Sequence, residues 1–141
     1  MHFVTGGAFN GKKKWVIDFY GLEKTPHQWH SFYKKTEAPA FTEEIVVLEG
    51  IERYVRILLE RFETPEKARL LFRKELEKWK KEDRTVILIG TDITKGIVPM
   101  NAFDRFFRDT AGWCFQDVAA ASGRVDTVWY GIGETIKEEA K

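Results

Sequence analysis

Gly6-Gly7-Ala8-Phe9-Asn10-Gly11-Lys12-Lys13 sets four residues between Gly6 and a Gly-Lys pair, the spacing of a phosphate-binding loop. The stretch follows an apolar segment, His2–Thr5, and leads into a helix expected over 12–20, so it has the strand-loop-helix context such a loop needs. Its physics is local. Glycines let successive backbone N–H groups curl around phosphate oxygens, and the helix N-terminus adds favourable dipole charge. Gly6, Gly7, Ala8, Phe9, Asn10, Gly11, Lys12 and Lys13 are therefore the expected nucleotide-binding residues, with Lys12 reaching the terminal phosphates. The last position departs from the pattern. Ser or Thr normally stands there and ligates Mg²⁺, whereas Lys13 repels a cation and can pair with phosphate directly. A glycine-rich turn with solvated lysines is the plain alternative.

Outward from the loop, four segments read as strands: His2–Thr5, Ile45–Leu48, Val86–Gly90 and Thr127–Tyr130. Three of them show little polar alternation, the pattern of strands covered on both faces of a parallel sheet. Helical spacing lies between them. Ile51, Tyr54, Val55, Leu58 and Phe62 form one apolar stripe. Thr64-Pro65-Glu66 opens a second helix, with Ala68, Leu71, Phe72, Leu76 and Trp79 facing inward. A third helix begins near Asn101 and carries Phe103, Phe106, Phe107, Cys114, Val118 and Ala121. Alternation of strands and helices predicts an α/β fold: one P-loop domain over 1–141, its mostly parallel β-sheet flanked by helices. Residues 21–42 hold Pro26, Pro39, His27 and His30 and no sustained period, and are expected to be an irregular surface excursion. The charged tail, 137–141, is expected to fray.

Composition narrows the function classes. The chain has 141 residues, 43% hydrophobic and 32% charged, enough for a buried core without staples. Lys and Arg number 23 against 22 Asp and Glu, so the net charge of +1 argues against non-specific nucleic-acid binding. A lone cysteine, Cys114, cannot pair within the chain, and the longest apolar run, Val86–Ile89, cannot span a bilayer. The expectation is a cytoplasmic protein without a membrane segment or targeting peptide.

Two carboxylates are placed by the strand ends. Ligands of open α/β sheets sit beyond the carboxyl ends of the strands, where Glu49 follows Ile45–Leu48 and Asp92 follows Val86–Gly90. Both are candidate catalytic residues and Mg²⁺ ligands; each is equally an acid favoured by a helix N-terminus. Arg105 and Asp109 stand one helical turn apart, which an intrahelical ion pair would explain. Trp15, Phe19, Tyr20, Trp29 and Tyr33 make the N-terminal half aromatic, through core packing, an interface or a surface for a flat ligand.

Several motifs in order resemble the adenosylcobinamide kinase/guanylyltransferase family. The loop Gly6-Gly7-Ala8-Phe9-Asn10-Gly11-Lys12 is similar to that family's Gly-Gly-Ala-Arg-Ser-Gly-Lys-Ser. Gly96-Ile97-Val98-Pro99 matches its Gly-Ile-Val-Pro, and Phe107-Arg108-Asp109-Thr110-Ala111-Gly112 its Phe-Arg-Asp-x-x-Gly helix. Val128-Trp129-Tyr130-Gly131-Ile132-Gly133 and Ile136-Lys137 resemble its last strand and Gly-Ile turn. The resemblance implies a homo-oligomeric enzyme of cobalamin biosynthesis. Such an enzyme uses GTP or ATP with Mg²⁺ to phosphorylate the aminopropanol hydroxyl of adenosylcobinamide. It then transfers GMP from GTP through a guanylylated histidine. It implies an acid at Glu49 and places Asp92 at the position of a family glutamate.

The middle of the chain departs. Anchoring on Thr36-Glu37-Ala38-Pro39 sets Tyr33 at the family's tryptophan and Thr25 near its histidine, leaving His27 and His30 close but off register. The accompanying arginines are missing. Guanylyl transfer is therefore doubtful, and a second reading stands beside the kinase: a non-catalytic family member binding nucleotide or corrinoid as an accessory or regulatory protein. An unrelated P-loop phosphotransferase would explain the loop and leave the later motifs unexplained.

Overall fold

The computed structural model describes residues 1–93 and 101–139. The Gly96–Met100 part of the family resemblance lies outside them. Six strands form one sheet in the order β2-β3-β4-β1-β5-β6. They are β1 (His2–Gly6), β2 (Gln28–Ser31), β3 (Ile45–Glu49), β4 (Thr85–Thr91), β5 (Arg124–Trp129) and β6 (Ile132–Glu138). All neighbouring pairs are parallel except β5–β6. The fold is α/β with a mostly parallel sheet, as the alternation of elements predicts.

Helices cover both faces. On one, α1 (Lys12–Tyr20) packs Val16 against Val4, Val47, Ile87, Ile89 and Val128. On the other, α2 (Ile51–Phe62), α3 (Pro65–Lys81) and α4 (Ala102–Ala121) enclose the larger core around Leu48, Leu88, Phe72 and Trp79. The local signals for these helices are present. Thr64 Oγ1 accepts from Lys67 N, and Asn101 Oδ1 accepts from Phe103 N and Asp104 N. Arg69 and Arg73 both grip Asp117 through paired hydrogen bonds of 3.0 and 3.1 Å, fastening α3 to α4. Phe106, grouped with the apolar positions of this helix, is 50% exposed, at the flank of the face that buries Cys114 and Val118.

Two strands depart from the sequence expectations. Within the stretch expected to be irregular, Gln28–Ser31 forms β2, paired in register with Val46–Glu49. Four mostly polar residues carry little strand propensity, and the sheet edge supplies the ladder that fixes them. The C-terminal segment does not fray from 137. It folds back as β6 after a two-residue turn at Tyr130 (φ 52°) and Gly131 (φ 75°), and Glu139 N donates to Gly123 O. Its charged residues are those of a solvent-facing edge strand, where they discourage pairing with other chains.

A substitution contrast checks the core. Phe72→Ala removes a fully buried ring packed beside Tyr54 and Trp79 and is expected to cost about 3–5 kcal/mol in urea unfolding. Leu70→Ala, on the exposed side of the same helix, is expected to stay within about 0.5 kcal/mol.

Candidate functional site

The central strand positions the site. Both neighbours of β1, β4 and β5, come late in the chain, while α1 carries the chain away to β2 at the sheet edge. A crevice opens at such a switch of strand order, beyond the strands' carboxyl ends. The glycine loop lies there. Gly6 (φ +150°) runs against β5 so closely that a Cβ would stand 2.3 Å from the Val128 carbonyl oxygen. Gly11 (φ +85°) turns the loop into α1. Between them Asn10 ties the loop to the β5–β6 turn: its carbonyl accepts from Gly131 N at 2.8 Å and its Oδ1 from Tyr130 N at 3.2 Å. No side chain caps the first turn of α1 and no acid lies in it, unlike α3 and α4, each of which has both. A helix start of that kind leaves N–H groups and positive dipole charge for an anion.

The loop forms one wall of a cavity of about 470 Å³, within the usual range for small-molecule sites. Ala8 to Lys13 line one side, and Tyr33, Glu49, Glu52, Ile89 and Thr91 the other. Lys12 is only 8% exposed, and its ammonium donates to the Gly7 carbonyl at 2.7 Å. Burial holds its pKa below the ordinary lysine value, against the opposing pull of Glu52 and Glu49.

Glu49 stands at the end of β3 and joins this cavity as its position predicts, with Oε1 accepting from Trp29 Nε1 at 3.2 Å. Asp92 is tied to the loop through its main chain, its N donating to Gly6 O at 2.8 Å, but it is not among the residues lining the cavity. Sequence reasoning missed Glu52. This buried acid on the first turn of α2 accepts from Thr91 N at 2.9 Å and from the Tyr33 hydroxyl. In sequence it resembles any acid at a helix start; the signal was its place three residues after Glu49, just beyond the same strand end. Burial and the Glu52 carboxylate push the Tyr33 phenol far above its usual range, and its ring rests on Gly50. Of the five aromatics expected to mark the N-terminal half, Tyr33 lines the cavity and Trp29 bonds Glu49 beside it, while Trp15 and Phe19 stack on each other and frame His2.

The histidines lie elsewhere. His27 bonds the Thr25 carbonyl at 2.8 Å, and His30 is buried in β2 against Phe32; neither lines the cavity. On α4, Asp109 pairs with Arg108 at 3.5 Å.

The loop lacks the hydroxyl that ordinarily ligates Mg²⁺. The position that should offer a hydroxyl holds Lys13, whose ammonium sits 5.3 Å from the Trp29 ring centroid. Glu49 and Glu52 already receive donors from the protein, and among the described residues no group of three or more His, Cys, Asp or Glu side chains is placed to hold a metal ion.

Fold and site together define an α/β protein with a glycine-rich, lysine-bearing loop facing two acids at the carboxyl edge of its sheet. The model of the cobinamide kinase / cobinamide phosphate guanyltransferase family matches residues 22–136, and the chain belongs to that family. The matched stretch begins after the loop. The chain is 46% identical over 52 residues to the bifunctional adenosylcobalamin biosynthesis protein CobU of Salmonella typhimurium (strain LT2), and 44% over 52 residues to that of Escherichia coli (strain K12). Each match covers 37% of this chain and 29% of the relative's length. No helix among the described residues is long and apolar enough to cross a membrane.

His30 gives a pH test of this geometry. Burial depresses its pKa below 6.5, so the unfolded chain binds a proton the folded chain refuses. Its contribution to stability is complete above pH 6.5 and is lost as pH falls toward the depressed value. His30→Phe is expected to flatten the acid limb of melting temperature against pH. His2, depressed in the same direction, keeps part of the slope. An unchanged limb would contradict the burial of His30.

Proposed function

We propose that this chain is a kinase of cobalamin biosynthesis that binds GTP or ATP at Gly6–Lys13 and phosphorylates a hydroxyl of a cobinamide-type corrinoid. The observation that carries the proposal is the convergence of Lys12, Glu49 and Glu52 on one cavity beside the uncapped start of α1. The family assignment supplies the substrate class; the residues supply the chemistry.

Lys12 and the loop amides hold the β- and γ-phosphates and draw charge from the leaving oxygen. Glu49 faces the acceptor hydroxyl and takes its proton as that oxygen attacks the γ-phosphorus. The bond to the β-phosphate oxygen breaks, and the nucleoside diphosphate leaves. Glu52 fixes Tyr33 and Thr91 along the same wall. Asp92 acts through its main chain, by anchoring the loop's first glycine. Guanylyl transfer is not part of the proposal, because neither His27 nor His30 lines the cavity. Assembly into a homo-oligomer is part of the proposal, and the outward-facing side chains of Ile132 and Ile136 on β6 offer an apolar surface for it.

One observation favours the alternative of a non-catalytic nucleotide- or corrinoid-binding protein: Lys13 in place of the metal-binding hydroxyl. Adenosylcobinamide with GTP separates the two readings. Phosphorylated corrinoid supports the kinase, and nucleotide binding without product supports the accessory role. Lys12→Ala is expected to weaken GTP binding about a hundredfold in calorimetry. Glu49→Gln is expected to lower turnover about a hundredfold with GTP affinity within about threefold of the parent. Unchanged GTP affinity in Lys12→Ala would remove the loop from the site.

A further inference from the structure

We infer that this chain binds its polyphosphate without a divalent cation, the Lys13 ammonium supplying the charge a metal ion supplies in loops ending in Ser or Thr. The inference rests on the nucleotide reading of the loop and adds how that ligand's charge is balanced.

Three features of the site lead to it. The first is the position itself. Lys13 directly follows Lys12 on the first turn of α1 and lines the same cavity, so two ammonium groups face it from the loop side. A divalent ion beside them would meet two like charges, while an anion would meet two opposite ones. The second is the engagement of the acids. Glu49 accepts from the Trp29 indole, and Glu52 from Tyr33 and the Thr91 amide. A metal ion at Glu52 would have to displace one of these donors, and at Glu49 it would compete with the indole at Oε1. The third is the resting place of Lys13. One Trp29 indole gives its N–H to Glu49 and its ring face to the Lys13 ammonium, 5.3 Å from the centroid. A cation–π contact at an exposed site is weaker than a charge-assisted hydrogen bond to phosphate. Trp29 therefore holds the lysine at the cavity rim, and an arriving phosphate draws it inward.

The test is calorimetric titration of GTP into the whole chain, once with excess EDTA and once with excess Mg²⁺. It uses the parent protein, Lys13→Met and Lys13→Ser. Lys13 is solvent-exposed, so both variants should keep the parent melting temperature. The parent is expected to bind with affinities within about threefold in the two conditions. Lys13→Met is expected to bind about tenfold more weakly in EDTA. Lys13→Ser should be equally weak in EDTA and regain affinity with Mg²⁺ as the hydroxyl returns. Trp emission should change on GTP binding in the parent, and this change should shrink in Trp29→Phe. Parent binding that requires Mg²⁺, or Lys13→Met binding as tightly as the parent in EDTA, overturns the inference and leaves the nucleotide reading standing. Absence of GTP binding in both conditions overturns the nucleotide reading, and the inference with it.

Discussion

The buried ammonium of Lys12 is the constraint around which the site is arranged. It is only 8% exposed, bonded to the Gly7 carbonyl, and drawn by the fields of Glu49 and Glu52. Burying a lysine depresses its pKa, and the two acids offset part of that cost. The elements that bring these groups together come from distant parts of the chain: the loop after β1, the end of β3 and the start of α2. The parallel register aligns them, with Glu49 beside Ile89 on β4 and Gly6 beside Thr91. Sheet topology thus produces the juxtaposition of charge.

A second layer of contacts holds the loop in place. Gly6 leaves no room for a side chain against Val128, Asn10 binds the turn at Tyr130 and Gly131, and Asp92 N reaches back to Gly6. These ties run to β5, the β5–β6 turn and the end of β4. The loop's shape therefore depends on the C-terminal half of the chain, which lies within the span matched by the family model. The structure explains how a loop outside that span is set by residues inside it.

Much of this was legible in the sequence, for physical reasons that can be named. The inner strands β3 and β4 are mostly β-branched or apolar, because both their faces are covered. Thr64-Pro65 and Asn101 mark helix starts through local hydrogen bonding alone. Glu49 could be placed because a strand end fixes which edge of the sheet it faces. The edge strands could not be read, since Gln28–Ser31 and Ile132–Glu138 take their conformation from a neighbour rather than from their own residues. The contact between Glu52 and Tyr33 could not be read for a related reason: it depends on how the stretch between β2 and β3 folds over Gly50. The Lys13–Trp29 contact is likewise a product of β2 pairing.

The central claim is that the curl from Gly6 to Lys13 receives phosphate beside the two acids. A crystal structure of the chain with GTP tests it most directly. The account predicts the β- and γ-phosphates within hydrogen-bonding distance of the loop amides, with the Lys12 ammonium moved from the Gly7 carbonyl onto phosphate oxygen. A nucleotide bound elsewhere on the molecule, with Lys12 still donating to Gly7, would contradict it.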